Sequence, residues 1–102
     1  MRFYFVTLGC PKNSVDSEMM VTLLQRAGHT RVENPRRADV LVVNTCGFIE
    51  PAREESFGVL RDLAEHKHRN QRLVAAGCMA QRYGDILRQM MPGLDAVIGT
   101  QS

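Results

Sequence analysis

Apolar positions along this chain follow two patterns that alternate from one end to the other. Short apolar runs predict strands at Phe3 to Leu8, Asp39 to Asn44, Arg72 to Ala76 and Ala96 to Ile98. In the second, Val40-Leu41-Val42-Val43 shows no polar alternation, which is how a strand covered on both faces reads. Between the runs, three- and four-residue spacings predict helices. The first carries Met19, Met20, Leu23, Leu24 and Ala27, with Asn13 as its cap, Asp16 in its first turn and Gly28 as its stop. The second opens on Pro51 and lines up Phe57, Leu60, Leu63 and Ala64, with Glu50, Glu54 and Glu55 at its start and Lys67 and Arg69 near its end. The third carries Ala80, Tyr83, Ile86, Leu87 and Met90 and stops at Pro92-Gly93. A short edge strand is expected around Thr30 to Val32.

Strands and helices in alternation imply right-handed crossovers and a parallel sheet. The expected fold is therefore α/β: an open, mostly parallel five-stranded sheet with helices on both faces, a three-layer arrangement of the flavodoxin or Rossmann kind. The 102 residues suit one domain, 1–102, and leave no room for a second core. With 44% apolar and 24% charged residues, the chain is expected to fold in water. It has no apolar run long enough to cross a bilayer and no secretory leader, so a cytoplasmic location is expected, with no membrane partner.

The 13 basic and 11 acidic residues leave a net charge of +2, with the signs interspersed. No direct nucleic-acid binding is expected from so small an excess. Arg36-Arg37 and His66-Lys67-His68-Arg69 read as a solvated loop and a helix end. His29, His66 and His68 read as solvated, and neither Asp39 nor Asp95 forms an acid–base pair.

The three cysteines, Cys10, Cys46 and Cys78, carry more information. Their odd number argues against a disulfide framework, and none is close enough to another for a self-contained zinc finger. Each instead follows the end of a predicted strand, in Thr7-Leu8-Gly9-Cys10, Asn44-Thr45-Cys46-Gly47 and Ala75-Ala76-Gly77-Cys78. In an open parallel sheet all these ends share one edge, where ligands bind. Gly9, Gly47 and Gly77 would let the backbone approach a bulky ligand, and Asn44 and Thr45 would fix the second cysteine loop. Three thiolates suit either zinc with one open position or a four-iron cluster with one iron lacking a protein ligand. Buried thiols without a shared role are the alternative.

Two other classes remain open on the residues alone. A cysteine phosphatase loop would need Arg six residues after Cys10, and Asp16 stands there, so that reading fails. A flavodoxin-like electron carrier shares the fold, although the first loop has few hydroxyls and the chain has no Trp to stack on a flavin. A partner-binding module would use the basic spots with Met20 or Met91 as its face.

The string Thr7-Leu8-Gly9-Cys10-Pro11-Lys12-Asn13-Ser14-Val15-Asp16-Ser17-Glu18 resembles the opening signature of the radical-SAM methylthiotransferases. The resemblance continues through Val43-Asn44-Thr45-Cys46-Gly47-Phe48-Ile49 and Gly77-Cys78-Met79-Ala80-Gln81-Arg82-Tyr83, and ends at Asp95 to Thr100. Pro11 and Gly47-Phe48-Ile49 favour the branch that modifies a ribosomal protein over the branch that modifies transfer RNA. The resemblance implies that Cys10, Cys46 and Cys78 hold an auxiliary [4Fe-4S] cluster whose fourth iron carries sulfur for delivery. It implies an aspartate of a small-subunit ribosomal protein as substrate. It also implies S-adenosylmethionine and a second [4Fe-4S] cluster bound by C-x₃-C-x₂-C in a radical-SAM barrel. That motif, the barrel and the C-terminal substrate-binding domain have no counterpart here, so the chain by itself is expected to be inactive. Asn13, Asp16, Ser17 and Glu18 are expected to order the first loop and cap its helix.

Overall fold

In the computed structural model, residues 1–8, 11–45, 50–77, 85–89 and 91–99 are described. They form β1 (Arg2–Thr7), α1 (Pro11–Arg26), β2 (Thr30–Arg31), a 3₁₀ turn at Pro35–Arg37, β3 (Val40–Thr45), α2 (Glu50–His66), β4 (Arg72–Gly77) and β5 (Ala96–Gly99). A further helical segment occupies 85–89. The five strands form one sheet in the order β2-β1-β3-β4-β5, and all four pairings are parallel. This is the flavodoxin-like doubly wound order, with its reversal of direction between β1 and β3.

Period-two alternation divides the strand residues between two apolar layers. On one face Phe3, Phe5, Val42 and Ala76 pack with Met20, Val21 and Leu24 of α1. On the other, Leu41, Val43, Leu73 and Ala75 pack with Leu60 of α2, Leu87 and Met91. The central strands are buried on both faces, as the unbroken Val40–Val43 run predicts. Among the described residues, α1 covers one face and α2 with the 85–89 segment covers the other.

Helix α1 departs from its sequence-based expectation at both its start and its facing. It begins at Pro11, so Asn13 lies inside the helix rather than at its cap, and no acidic residue falls in the first turn. Proline suits this first position because its missing N–H has no intrahelical partner to lose. The inward face is Ser17, Met20, Val21 and Leu24, while Met19 and Leu23 are exposed. The apolar residues of α1 cover more of its circumference than one sheet face can bury, so spacing alone did not select the buried side. Its end is as expected. Gly28 has φ of 96°, its N–H donates to Gln25 O at 3.1 Å and the His29 N–H donates to Leu24 O at 3.0 Å, the paired closure of a Schellman turn.

The edge strand at Thr30 is present but only two residues long. In the third helix Leu87 is buried and Ile86 exposed, while Ala80, Tyr83 and Met90 lie outside the described residues. Met91 is core and Met20 packs against the sheet, which removes both from a docking face. Among the described residues, no helix is long and apolar enough to cross a membrane.

Candidate functional site

Parallel register decides which residues share the carboxy edge of the sheet. Thr7 pairs with Asn44, Asn44 with Ala76, and Thr45 with Gly77. Beyond β1, the Leu8 N–H donates to Asn44 O at 3.1 Å, carrying the pairing one residue further. The three central strands, β1, β3 and β4, therefore end side by side, each roughly 4.8 Å from its neighbour. The β1–β3 boundary is also the topological switch point, the usual ligand crevice of such sheets.

A buried polar network ties this edge together. The Thr7 hydroxyl donates to Ser17 Oγ at 2.7 Å, and the Asn44 side-chain amide donates to the same oxygen at 2.8 Å. The Thr45 hydroxyl donates to the carbonyl of Ala76 at 2.6 Å. Asn44, Thr45 and Ser17 are all buried, where an unbonded polar group would cost several kcal/mol, on the order of 1–3 by mutational measures. The expected fixing role of Asn44 and Thr45 thus takes a specific form: each reaches to a neighbouring element. Ser17, expected to order the first loop, in fact accepts from two strands at once. Spacing alone does not single out Ser17 for this role, because the stripe it makes with Met20, Val21 and Leu24 is told from the exposed Met19 and Leu23 only by packing against the sheet. An open cavity of about 460 Å³ beside α1 also uses Thr7 and Ser17, with Phe5, Glu18 and Arg31 among its walls.

Gly77 has φ of 95°, and a Cβ there would run into Asn44 Oδ1 and the Thr45 carbonyl oxygen, with Thr45 N at 3.0 Å. The space a side chain would take is filled by β3. This corrects the expectation that Gly77 makes room for a ligand: its glycine is required by the close approach of β3 to β4. Gly9 and Gly47 lie outside the described residues.

Cys10, Cys46 and Cys78 also lie outside the described residues. Their chain positions are nonetheless tied to the edge. Cys46 is the next residue after Thr45, Cys78 is the next after Gly77, and Cys10 is two beyond Leu8. Thr45 and Gly77 are register partners, so two of the three cysteines directly follow paired residues. Among the described residues no group of His, Cys, Asp and Glu could hold a metal ion.

The histidines are elsewhere. His66 and His68 are exposed as expected, and His66 meets Asp62 at 3.4 Å. His29 is half-buried instead, with Nδ1 3.2 Å from the N-terminal nitrogen of Met1, because the Schellman turn folds it back towards the start of β1. Asp95 accepts from the Leu73 N–H at 2.8 Å and from Lys67 Nζ at 3.2 Å. The Leu73 N–H, with Lys67, holds its carboxyl below the ordinary carboxylate value despite the opposing cost of burial.

The chain is 55% identical over 101 residues to the ribosomal protein uS12 methylthiotransferase RimO of Herpetosiphon aurantiacus, covering 99% of this chain and 22% of that protein. It is 52% identical to the protein of that name from Chloroflexus aurantiacus, covering 99% and 22%. For that of Solibacter usitatus the identity is 49%, covering 98% and 22%. The chain thus spans about a fifth of the length of these curated relatives. Residues 2–99 match the family described as Uncharacterized protein family UPF0004, and the chain belongs to that family.

Proposed function

We propose that this chain is the auxiliary-cluster domain, 1–102, of a methylthiotransferase acting on ribosomal protein uS12, with Cys10, Cys46 and Cys78 as ligands of a [4Fe-4S] cluster. The observation that carries the reading is the shared edge: three adjacent parallel strands end in register, and each leads within three residues into a cysteine. The names of the relatives supply the reaction class and the substrate.

The donor set fits the group. Three thiolates on a four-iron cluster leave one iron open to an exogenous ligand, and that open iron is the chemistry the cluster supplies when bound. The chain's own residues supply rigidity. Ser17 locks α1 to β1 and β3, Thr45 locks β3 to β4, and Gly77 permits their close approach. Ligand-bearing loops that leave a sheet edge held this way start from fixed points, which limits the entropy lost when three separate loops converge on one group. Radical generation from S-adenosylmethionine, at a second cluster, would belong to the remainder of the full-length protein. That remainder would also act on an aspartate side-chain carbon of the substrate, and the chain alone would be inactive.

Anaerobic reconstitution with iron and sulfide tests the ligand set. The expected result is about four irons per chain, lost in each of Cys10→Ala, Cys46→Ala and Cys78→Ala. Unchanged iron content in all three variants overturns the assignment, and a bound yellow, fluorescent flavin would establish the electron-carrier alternative. Supplying both uS12 and transfer RNA to the full-length protein decides between the two methylthiotransferase branches.

A further inference from the structure

The amino edge of the sheet, opposite the cysteine-bearing edge, carries two adjoining clefts built by the 3₁₀ turn and the segment leading into β4. One, of about 420 Å³, is lined by Arg2, Arg36, Arg37, Ala38, Asp39, His68, Asn70 and Gln71. Its neighbour, of about 490 Å³, shares Arg36, His68 and Gln71 and adds His66, Lys67 and Asp62. Together they hold four permanent cations and two carboxylates, while the chain as a whole has 13 and 11. Among the described residues the smaller cleft gathers three arginines against one carboxylate, Asp39, whereas in the larger one Lys67 is balanced by Asp95.

The carboxylates present are already engaged. Asp39 Oδ2 accepts from the Arg2 N–H at 2.8 Å, and Asp62 meets His66. Lys67 is occupied by Asp95 at 3.2 Å. Among the described residues, no carboxylate lies within ion-pairing distance of the Arg2, Arg36 or Arg37 guanidinium. Backbone bonding holds the turn that presents the pair: Asn34 Oδ1 accepts from the Arg36 N–H at 3.0 Å, and Gln71 Nε2 donates to the Pro35 and Ala38 carbonyls at 2.6 and 2.8 Å.

From this arrangement we infer that the amino edge is a docking surface for the phosphodiester backbone of RNA. Guanidiniums present planar forks that match phosphate oxygens. Among the described residues the smaller cleft has no large apolar or aromatic side chain, so they offer neither the buried anchor of a protein partner nor a platform for stacked bases. What remains is recognition of a regularly charged backbone, independent of sequence and sensitive to salt. This departs from the expectation of no nucleic-acid binding, because charges interspersed along the chain are gathered when it folds. The inference is independent of the ligand set at the cysteine edge.

Fluorescence anisotropy of the 102-residue chain with a labelled mixed-sequence single-stranded 20-mer RNA tests it. Three phosphate contacts predict a slope of log K against log salt of about −2, falling to about −0.7 in Arg36→Gln/Arg37→Gln, with at least about a tenfold loss of affinity at low salt. Arg31→Gln/Arg88→Gln, an equal change of charge outside both clefts, is expected to bind like the parent, and circular dichroism checks that both variants fold. Equal losses in the two double variants, or none in the first, overturn the proposal. Poly-glutamate binding as tightly as RNA would make the partner an acidic protein. Displacement by inorganic phosphate beyond the effect of matched chloride would make it a single-anion pocket. Either result refutes the RNA assignment.

Discussion

The side-chain amide of Asn44 donates to the hydroxyl oxygen of Ser17 at 2.8 Å, joining the central strand β3 to the helix that follows β1. The Thr7 hydroxyl converges on the same oxygen, so one serine on α1 receives both strands flanking the switch point of the sheet. In the sequence, Cys10 and Cys46 follow those two strands. The network therefore sits where folding stability and the placement of the proposed ligands depend on the same atoms.

Ser17→Ala removes the acceptor of the buried Asn44 amide and of the exposed Thr7 hydroxyl. The expected loss is about 2 kcal/mol. Urea unfolding should show a lower midpoint with an unchanged slope. A loss below about 0.5 kcal/mol, the range typical of surface substitutions, would mean that water or another group replaces the hydroxyl.

Gly77 and Gly28 separate two effects that glycine can serve. Both have φ near 95°, but a Cβ at Gly28 meets nothing within 4 Å, whereas at Gly77 it meets β3. Gly28→Ala should cost about 1–2 kcal/mol from backbone conformation alone. Gly77→Ala should cost a further 1–3 kcal/mol, on the order of other overpacked cores. Equal losses in the two variants would remove the close approach of β3 and β4 as a constraint.

Gln71 bonds to three backbone groups of two segments, accepting from the His68 N–H at 2.9 Å and donating to Pro35 and Ala38. Gln71→Ala is expected to lower stability by about 2 kcal/mol. Hydrogen exchange at the His68 amide should accelerate with it. Because the 3₁₀ turn carries Arg36 and Arg37, the same variant should weaken RNA binding without removing a charge.

Asp95 predicts a dependence on pH. Its carboxyl is depressed below the ordinary value of 3.8, first by the Leu73 N–H and then by Lys67, so the ionised form is the stabilising one. That contribution is fully present above the ordinary value and is lost as pH falls through the lower folded value. Solvent reaches the pair, which limits the ion-pair part to under about 1 kcal/mol. Asp95→Asn should be less stable than the parent near neutrality, and the gap measured by urea unfolding should narrow below about pH 4. A gap that stays constant with pH would assign the effect to hydrogen bonding alone.

The fold is largely legible in the sequence. The unbroken apolar run Val40–Val43 marks a strand with both faces covered, Arg72 to Ala76 marks another strand, and Gly28 marks the helix stop, because these depend on local periodicity and backbone preference. Less legible was the rotation of α1, since Met19 and Leu23 are as apolar as Met20 and Leu24 and only contact with Phe3 and Phe5 distinguishes them. At the candidate site, Asn44 and Thr45 were recognisable as polar residues ending an apolar strand. Their partners Ser17 and Ala76 were not, being 27 and 31 residues away.

By itself, the sequence determined the order of elements, the parallel character of the sheet and the succession of each cysteine to a strand, all of which follow from short-range patterns. Only the tertiary structure decided that β1, β3 and β4 are neighbours, that Gly77 gives way to β3 rather than to a ligand, and that Arg2 meets Arg36 and Arg37 at one edge. Strand order and charge clustering arise from packing between residues distant in the chain, and linear spacing carries no record of them.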